Sequence, residues 1–109
     1  MKYITVIKDP GAADAGVADG KTLNELFNGP FRRIVEVSLR DGAVLARHHA
    51  LEPITVYCVS GSGVFTAGTH LEDSHDLRPG TLITLDAGVE HEVSAEPDLH
   101  LIVSKFKGS

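Results

Sequence analysis

Six histidines in a chain of 109 residues are the feature of the composition that points to chemistry. Imidazole is a common metal ligand, and an unperturbed pKa of about 6.5 suits it to proton transfer near neutral pH. His48 and His49 are adjacent, His70 and His75 bracket Leu71-Glu-Asp-Ser74, His91 stands between Glu90 and Glu92, and His100 lies between Leu99 and Leu101. Successive strand residues point to opposite faces, so His49 is expected to point away from His48 unless a bulge or turn begins there. By the same alternation Glu90 and Glu92 face away from His91. His70 and His75, with Glu72, Asp73 and Asp76, offer metal-donor types, but in a hairpin they are expected to form a solvated loop. For His100 both faces of the last strand stay open. The one cysteine, Cys58, reads as a small buried hydrophobe. As a thiolate it would need a basic neighbour, and His91 is the only candidate.

These side chains have to be positioned by strands. From Phe31 onward, β-rich apolar stretches recur at 31–39, 43–47, 54–59, 63–67, 75–77, 81–85, 91–95 and 99–106. Turn-forming groups separate them: Asp41-Gly42, Glu52-Pro53, Ser60-Gly-Ser-Gly63, Ala67-Gly68, Pro79-Gly80, Asp86-Ala-Gly88 and Glu96-Pro-Asp98. Short strands at this spacing predict an all-β antiparallel barrel or sandwich. In 31–39, the set Phe31, Arg33, Val35, Val37 and Leu39 is the expected core face. The amino-terminal 30 residues read differently. Tyr3–Ile7 predicts a short strand, and Asp9–Gly20 a loop or arm. Thr22 with Glu25 has capping-box spacing, which predicts a helical turn over 22–27 ended by Asn28-Gly-Pro30. The expected organisation is an extension, 1–30, of strand, loop and short helix packed on a barrel, 31–109.

Composition narrows the function classes. A chain of 11.6 kDa buries about two-thirds of its unfolded surface, enough for one core and too little for two domains. Ten basic against fifteen acidic residues give a net charge of -5, which argues against nucleic-acid and anionic-membrane partners. Arg32-Arg33 is too small a basic cluster to reverse that, and no DNA-binding segment is evident. A single cysteine excludes an internal disulfide and fits a reducing compartment. The start, MKYITVIKDP, lacks the apolar core of a signal peptide. The longest nearly apolar run, Ile54–Val59, is far too short to span a membrane. A cytoplasmic location is expected.

Two segments resemble the paired motifs of the cupin superfamily. The first family motif runs Gly, five residues, His, one residue, His, three or four residues, Glu, six residues, Gly. Gly42, His48 and Gly61 fall in that register, with Ala50 at the second His and Ile54 at the Glu. The second runs Gly, five residues, Pro, one residue, Gly, two residues, His, three residues, Asn. Gly80, Gly88 and His91 match it, with Asp86 at the Pro and Ala95 at the Asn. The resemblance covers about residues 31–106. It implies a single cupin-type, jelly-roll-like β-barrel with His48 and His91 facing each other inside the mouth.

In cupins with the full motif, three His and one Glu hold a divalent metal (Fe, Mn, Ni, Cu or Zn) with open positions for substrate or oxygen. Here the resemblance retains His48 and His91, with His49 or Glu52 as the possible third ligand. Two imidazoles alone make a weak metal site. Ile54, Val56 and Cys58 alternate on one face near Ala50, so a cavity containing both His would be mostly apolar. That composition suits a small organic ligand. Three functions follow as expectations: a ligand-binding cupin, a metal-dependent dioxygenase or isomerase with a rearranged ligand set, and a non-catalytic sensor module. Both His could equally be remnants held by packing. Small cupins usually dimerise, so a homodimer is expected, with Tyr3–Ile7 available to a partner's sheet edge.

Overall fold

In the computed structural model, residues 4–7, 17–18 and 20–107 are described. Eight strands form one antiparallel system: β1 Val17–Ala18, β2 Lys21–Asn28, β3 Arg32–Leu39, β4 Val44–His48, β5 Ile54–Ala67, β6 Asp73–Leu77, β7 Leu82–Leu85 and β8 His91–Phe106. The order is β1-β2-β3-β8-β5-β6, with β4 also on β8 and β7 also on β5. This is the all-β antiparallel barrel expected from the strand spacing, in the jelly-roll-like form that the cupin resemblance implies.

Four of the expected stretches merge into two long strands. Segments 54–59 and 63–67 are the halves of β5, and 91–95 and 99–106 are the halves of β8. The two strands pair along their length and are irregular at Cys58/Ser60 and Gly61/Gly63. Ser60–Gly63 is therefore a bend inside a strand and not a turn between two. Close backbone approach explains the glycines. At Gly61, with φ of +84°, an added Cβ would lie 2.2 Å from the Asp98 carbonyl oxygen, and at Gly63 2.3 Å from that of Ser94. Only a residue without a side chain fits there.

The bend gives the barrel a closed end and an open end. Strand β5 starts at Ile54 opposite Lys105, descends to the bend opposite Asp98–Leu99, and returns to Ala67 opposite His91. Leu39, Cys58, Ala95 and Leu99 close the lower end and are buried. In β3 the expected face is confirmed at Val35, Val37 and Leu39, whereas Phe31, ahead of the strand, is exposed.

The amino-terminal expectations need correction. Residues 22–27 are strand, not helix: Lys21–Asn28 pairs with Leu39–Arg33 in register, with one bulge between Glu25 and Phe27. A full ladder with β3 outweighs a single capping signal, because helix propensity is a weak prior that tertiary pairing overrides. The β2–β3 hairpin is closed by Gly29 N–H donating to the Arg32 carbonyl at 2.9 Å, with the Arg32 guanidinium 4.9 Å from the Phe27 ring centre. Of the expected strand 3–7, residues Ile4–Ile7 join no strand and are exposed, and Tyr3 lies outside the described residues. The expected loop Asp9–Gly20 also lies outside them, except for β1 and Gly20.

Candidate functional site

The two motif histidines meet because β4 pairs with β8: His48 is the direct register partner of His91. A bulge between Leu45 and His48 sets three residue steps on β4 against two on β8. Leu45 and His48 therefore both face inward, although strict alternation would separate them. Just beyond, Gly88 N–H donates to the Ala50 carbonyl at 2.9 Å and ties the turn before His91 to the chain after His48. The ring centroids of His48 and His91 are 4.2 Å apart at an interplanar angle of 60°. Phe65 stacks on the other side of His91, 5.6 Å away and 11° from parallel. His91 is only 4% exposed.

Backbone carbonyls select the tautomer of each ring. His48 Nδ1 lies 2.8 Å from the Ala46 carbonyl oxygen, and His91 Nδ1 lies 3.0 Å from that of Val89. A carbonyl only accepts, so both Nδ1 atoms carry the proton and donate. In the neutral rings Nε2 is then a lone pair available to a ligand or proton. Burial pushes His91 below the usual imidazole range, opposed by its bond to Val89 and reinforced by the fields of His48, Lys105 and His49. His91 is therefore a neutral acceptor at neutral pH.

The cavity beside them has a volume of about 410 Å³. His48, Ala50, Ile54, Val56 and His91, all expected pocket residues, line it. His49 lines it too: β4 ends at His48, so the alternation that would have turned His49 away stops there. Lys105 from β8 and Leu23 from β2 were missed by sequence reasoning, although Lys105 could have been found two steps beyond Leu101 and Val103 on one face. Cys58, expected in the wall, is not part of it. It lies one inward step deeper than Val56, fully buried in the closed end, and its Sγ–H points to the Ser60 carbonyl at 3.6 Å. Burial pushes the Cys58 thiol up, which removes it as a thiolate nucleophile.

The remaining candidates lie elsewhere. Glu90 is held on the outside by Arg47, which also donates to the Thr69 carbonyl. His75 pairs with Asp73 at 2.8 Å on the exposed strand β6, and the His70 N–H donates to Glu72 at 3.1 Å. His100 turns outward, 2.6 Å from the Glu36 carboxylate on the outer face of β3. Glu52 does not line the cavity.

A full cupin motif implies a metal, and the donor set here does not fit one. No three His, Cys, Asp or Glu side chains among the described residues cluster closely enough to hold an ion. Alanine and isoleucine stand at the other two motif positions, and structural or catalytic sites take at least three protein ligands.

Comparison with known proteins places this geometry. A scan of protein-family models finds no match, and no curated protein matches. Solved structures do match. A cupin superfamily protein from Desulfitobacterium hafniense superposes with a TM-score of 0.76 at 14% identity, over 85% of this chain and 83% of that one. KdgF from Halomonas sp. gives 0.77 at 21%, over 91% and 89%. An oxalate decarboxylase variant from Bacillus subtilis gives 0.77 at 21%, over 90% of this chain and 28% of the larger one. The chain has the cupin fold. Identities this low carry the fold and no reaction. No helix among the described residues is long and apolar enough to cross a membrane.

Proposed function

We propose that the protein binds a small organic ligand in the barrel cavity against His48 and His91. The observation that carries this reading is an apolar cavity of about 410 Å³ with two convergent imidazoles. Its size and lining match those of small-molecule sites. Each Nε2 lone pair accepts an O–H or N–H from the ligand, and the His91 Nε2 can take up a proton during any accompanying reaction. The test is a ligand screen by thermal shift, since a ligand that prefers the native state raises the melting temperature. His48→Ala should abolish or shift the stabilising hits; a hit list identical in wild type and variant overturns the pocket assignment.

The second reading, a metal-dependent enzyme, has in its support Nδ1–carbonyl bonds of the kind that hold ligating histidines, and against it the lack of any three-donor cluster among the described residues. It would require a third donor from His49. Near-stoichiometric Fe, Mn, Ni, Cu or Zn in protein purified without chelators, lost in His48→Ala and His91→Ala, would establish it. A sensor module would bind ligand without turnover. We further propose a cytoplasmic homodimer, supported by the lone cysteine and by exposed Leu82 and Tyr57, which pair across β5 and β7. A monomer mass at micromolar concentration would refute the dimer.

A further inference from the structure

The charges around the cavity mouth are one-sided. The chain carries a net charge of -5, yet among the described residues no carboxylate lines the cavity, whereas His48, His49, His91 and Lys105 do. The bent strands explain why these groups share one end. Lys105 is opposite Ile54 and His91 opposite Ala67, the two ends of β5, and both ends lie at the open rim. Across β3, Arg33 is the direct register partner of Lys105 and shares the inward face of Val35 and Val37. Like charges directly opposite in a sheet repel. Arg33 is partly compensated by Glu25 at 3.5 Å, although its Nε makes no hydrogen bond among the described residues. For Lys105 no carboxylate lies within ion-pair distance among them. Nearby acids are engaged or set aside: Glu90 is held by Arg47, and Glu52 and Asp86 do not line the cavity.

We propose that the cavity selects small organic anions, with an apolar body inside the barrel and one carboxylate or enolate held at the rim by the Lys105 ammonium. This rests on the cavity being a ligand site and specifies its substrate class. The neutral Nε2 atom of buried His91 repels an anionic oxygen, so the charged head sits on the Lys105 side. The imidazoles then face a hydrogen-bond donor or the apolar body of the ligand. Deeper walls of Val35, Val37, Val56 and Leu101 offer nothing to a second charge, which limits the ligand to a single anionic head at the rim.

The test uses matched probes, 3-phenylpropionate and 3-phenylpropionamide, titrated by NMR into the full chain with His ring and cavity methyl shifts as the readout. The carboxylate should bind about tenfold more tightly than the amide, as expected for one charge-assisted contact. Lys105→Met, which keeps the aliphatic stem, should reduce that preference to less than twofold; Lys105→Arg should retain it. Raising salt from 20 to 500 mM on wild type should weaken the carboxylate alone, which gives a result independent of any variant. Equal binding of the two probes overturns anion selection and leaves the ligand cavity standing. Absence of cavity shifts with both probes overturns both.

Discussion

Burial of His91 makes stability depend on pH in a definite direction. Its pKa is lowered in the native state, chiefly by desolvation, so below about pH 6.5 the unfolded chain binds a proton that the folded chain does not. Stability then rises with pH across that window and falls as the solution is acidified. The contribution is fully present above the unfolded pKa and is lost progressively below it, down to the native pKa. One proton sets the ceiling on the slope, about 1.4 kcal/mol per pH unit. The variant His91→Asn isolates this contribution, because its side-chain amide can still donate to the Val89 carbonyl while carrying no titratable group. Urea unfolding of both proteins at pH 8, 7, 6 and 5 gives the difference in stability at each pH, and titrations common to both chains cancel. His91→Asn is expected to be less stable than wild type at pH 8, because it loses the ring stacked on Phe65. That deficit should shrink as the pH falls, by about 1 kcal/mol or less per unit. Parallel curves would show that His91 titrates as it does in the unfolded chain. A deficit that grows on acidification would mean that the native state welcomes the proton, contrary to the buried neutral ring derived from its surroundings.

Three further outcomes follow from the packing. Gly61→Ala should cost about 3 kcal/mol or more, or prevent folding, since it adds positive-φ strain to a clash with the Asp98 carbonyl. Gly80→Ala, with φ of +91° and open space around it, should cost only about 1–2 kcal/mol in the same chemical melts; equal costs would refute the close-approach argument. Cys58 should react with Ellman's reagent only as fast as the chain opens and rapidly in denaturant, and prompt reaction of native protein would contradict its burial. His100→Leu should destabilise by about 1–3 kcal/mol, because it leaves the Glu36 carboxylate, 3% exposed, without its partner. The Glu36→Leu, His100→Leu pair should cost less than His100→Leu alone, and additive losses in denaturant unfolding would refute the coupling.

How much of this was legible in the sequence differs by element. The strands after Phe31 announce themselves because turn residues punctuate β-rich runs, and the facing of His48 and His91 follows from matching two spaced motifs. What local signals hide is continuity: Ser60–Gly63 has the composition of a turn, and only the approach of the Ser94 and Asp98 carbonyls shows that it is a bend within one strand. The 22–27 segment fails for the opposite reason. Its capping spacing is a genuine local preference, overridden by hairpin pairing with β3, the next strand in the chain. His49 and Cys58 both turn on where alternation stops or how deep a position lies. His49 gains the cavity because the strand ends at His48, and Cys58 loses it because one more inward step reaches the closed end. Lys105 was readable by the period of two from Leu101, but a lone lysine near the carboxyl terminus carries no signal until Ile54 is set opposite it.

Ala50 and Ile54, where the motif this chain resembles has His and Glu, decide what His48 and His91 can do. A histidine or glutamate at those positions would add polar donors beside rings that already present Nε2 lone pairs. Alanine and isoleucine instead continue the apolar wall of Val56 and Leu101 up to the rings. The scaffold that orients the rings is nonetheless intact: the Leu45/His48 bulge, the carbonyls of Ala46 and Val89, and the Gly88–Ala50 bond are all in place. None of those contacts involves an ion: the bulge and the Gly88–Ala50 bond are backbone, and each ring donates its Nδ1–H to a backbone carbonyl. Two oriented acceptors in an apolar cavity with a cation at its rim form an asymmetric site. On the proposed reading, such a site would distinguish the charged end of a molecule from its greasy end and leave a basic nitrogen alongside the ligand.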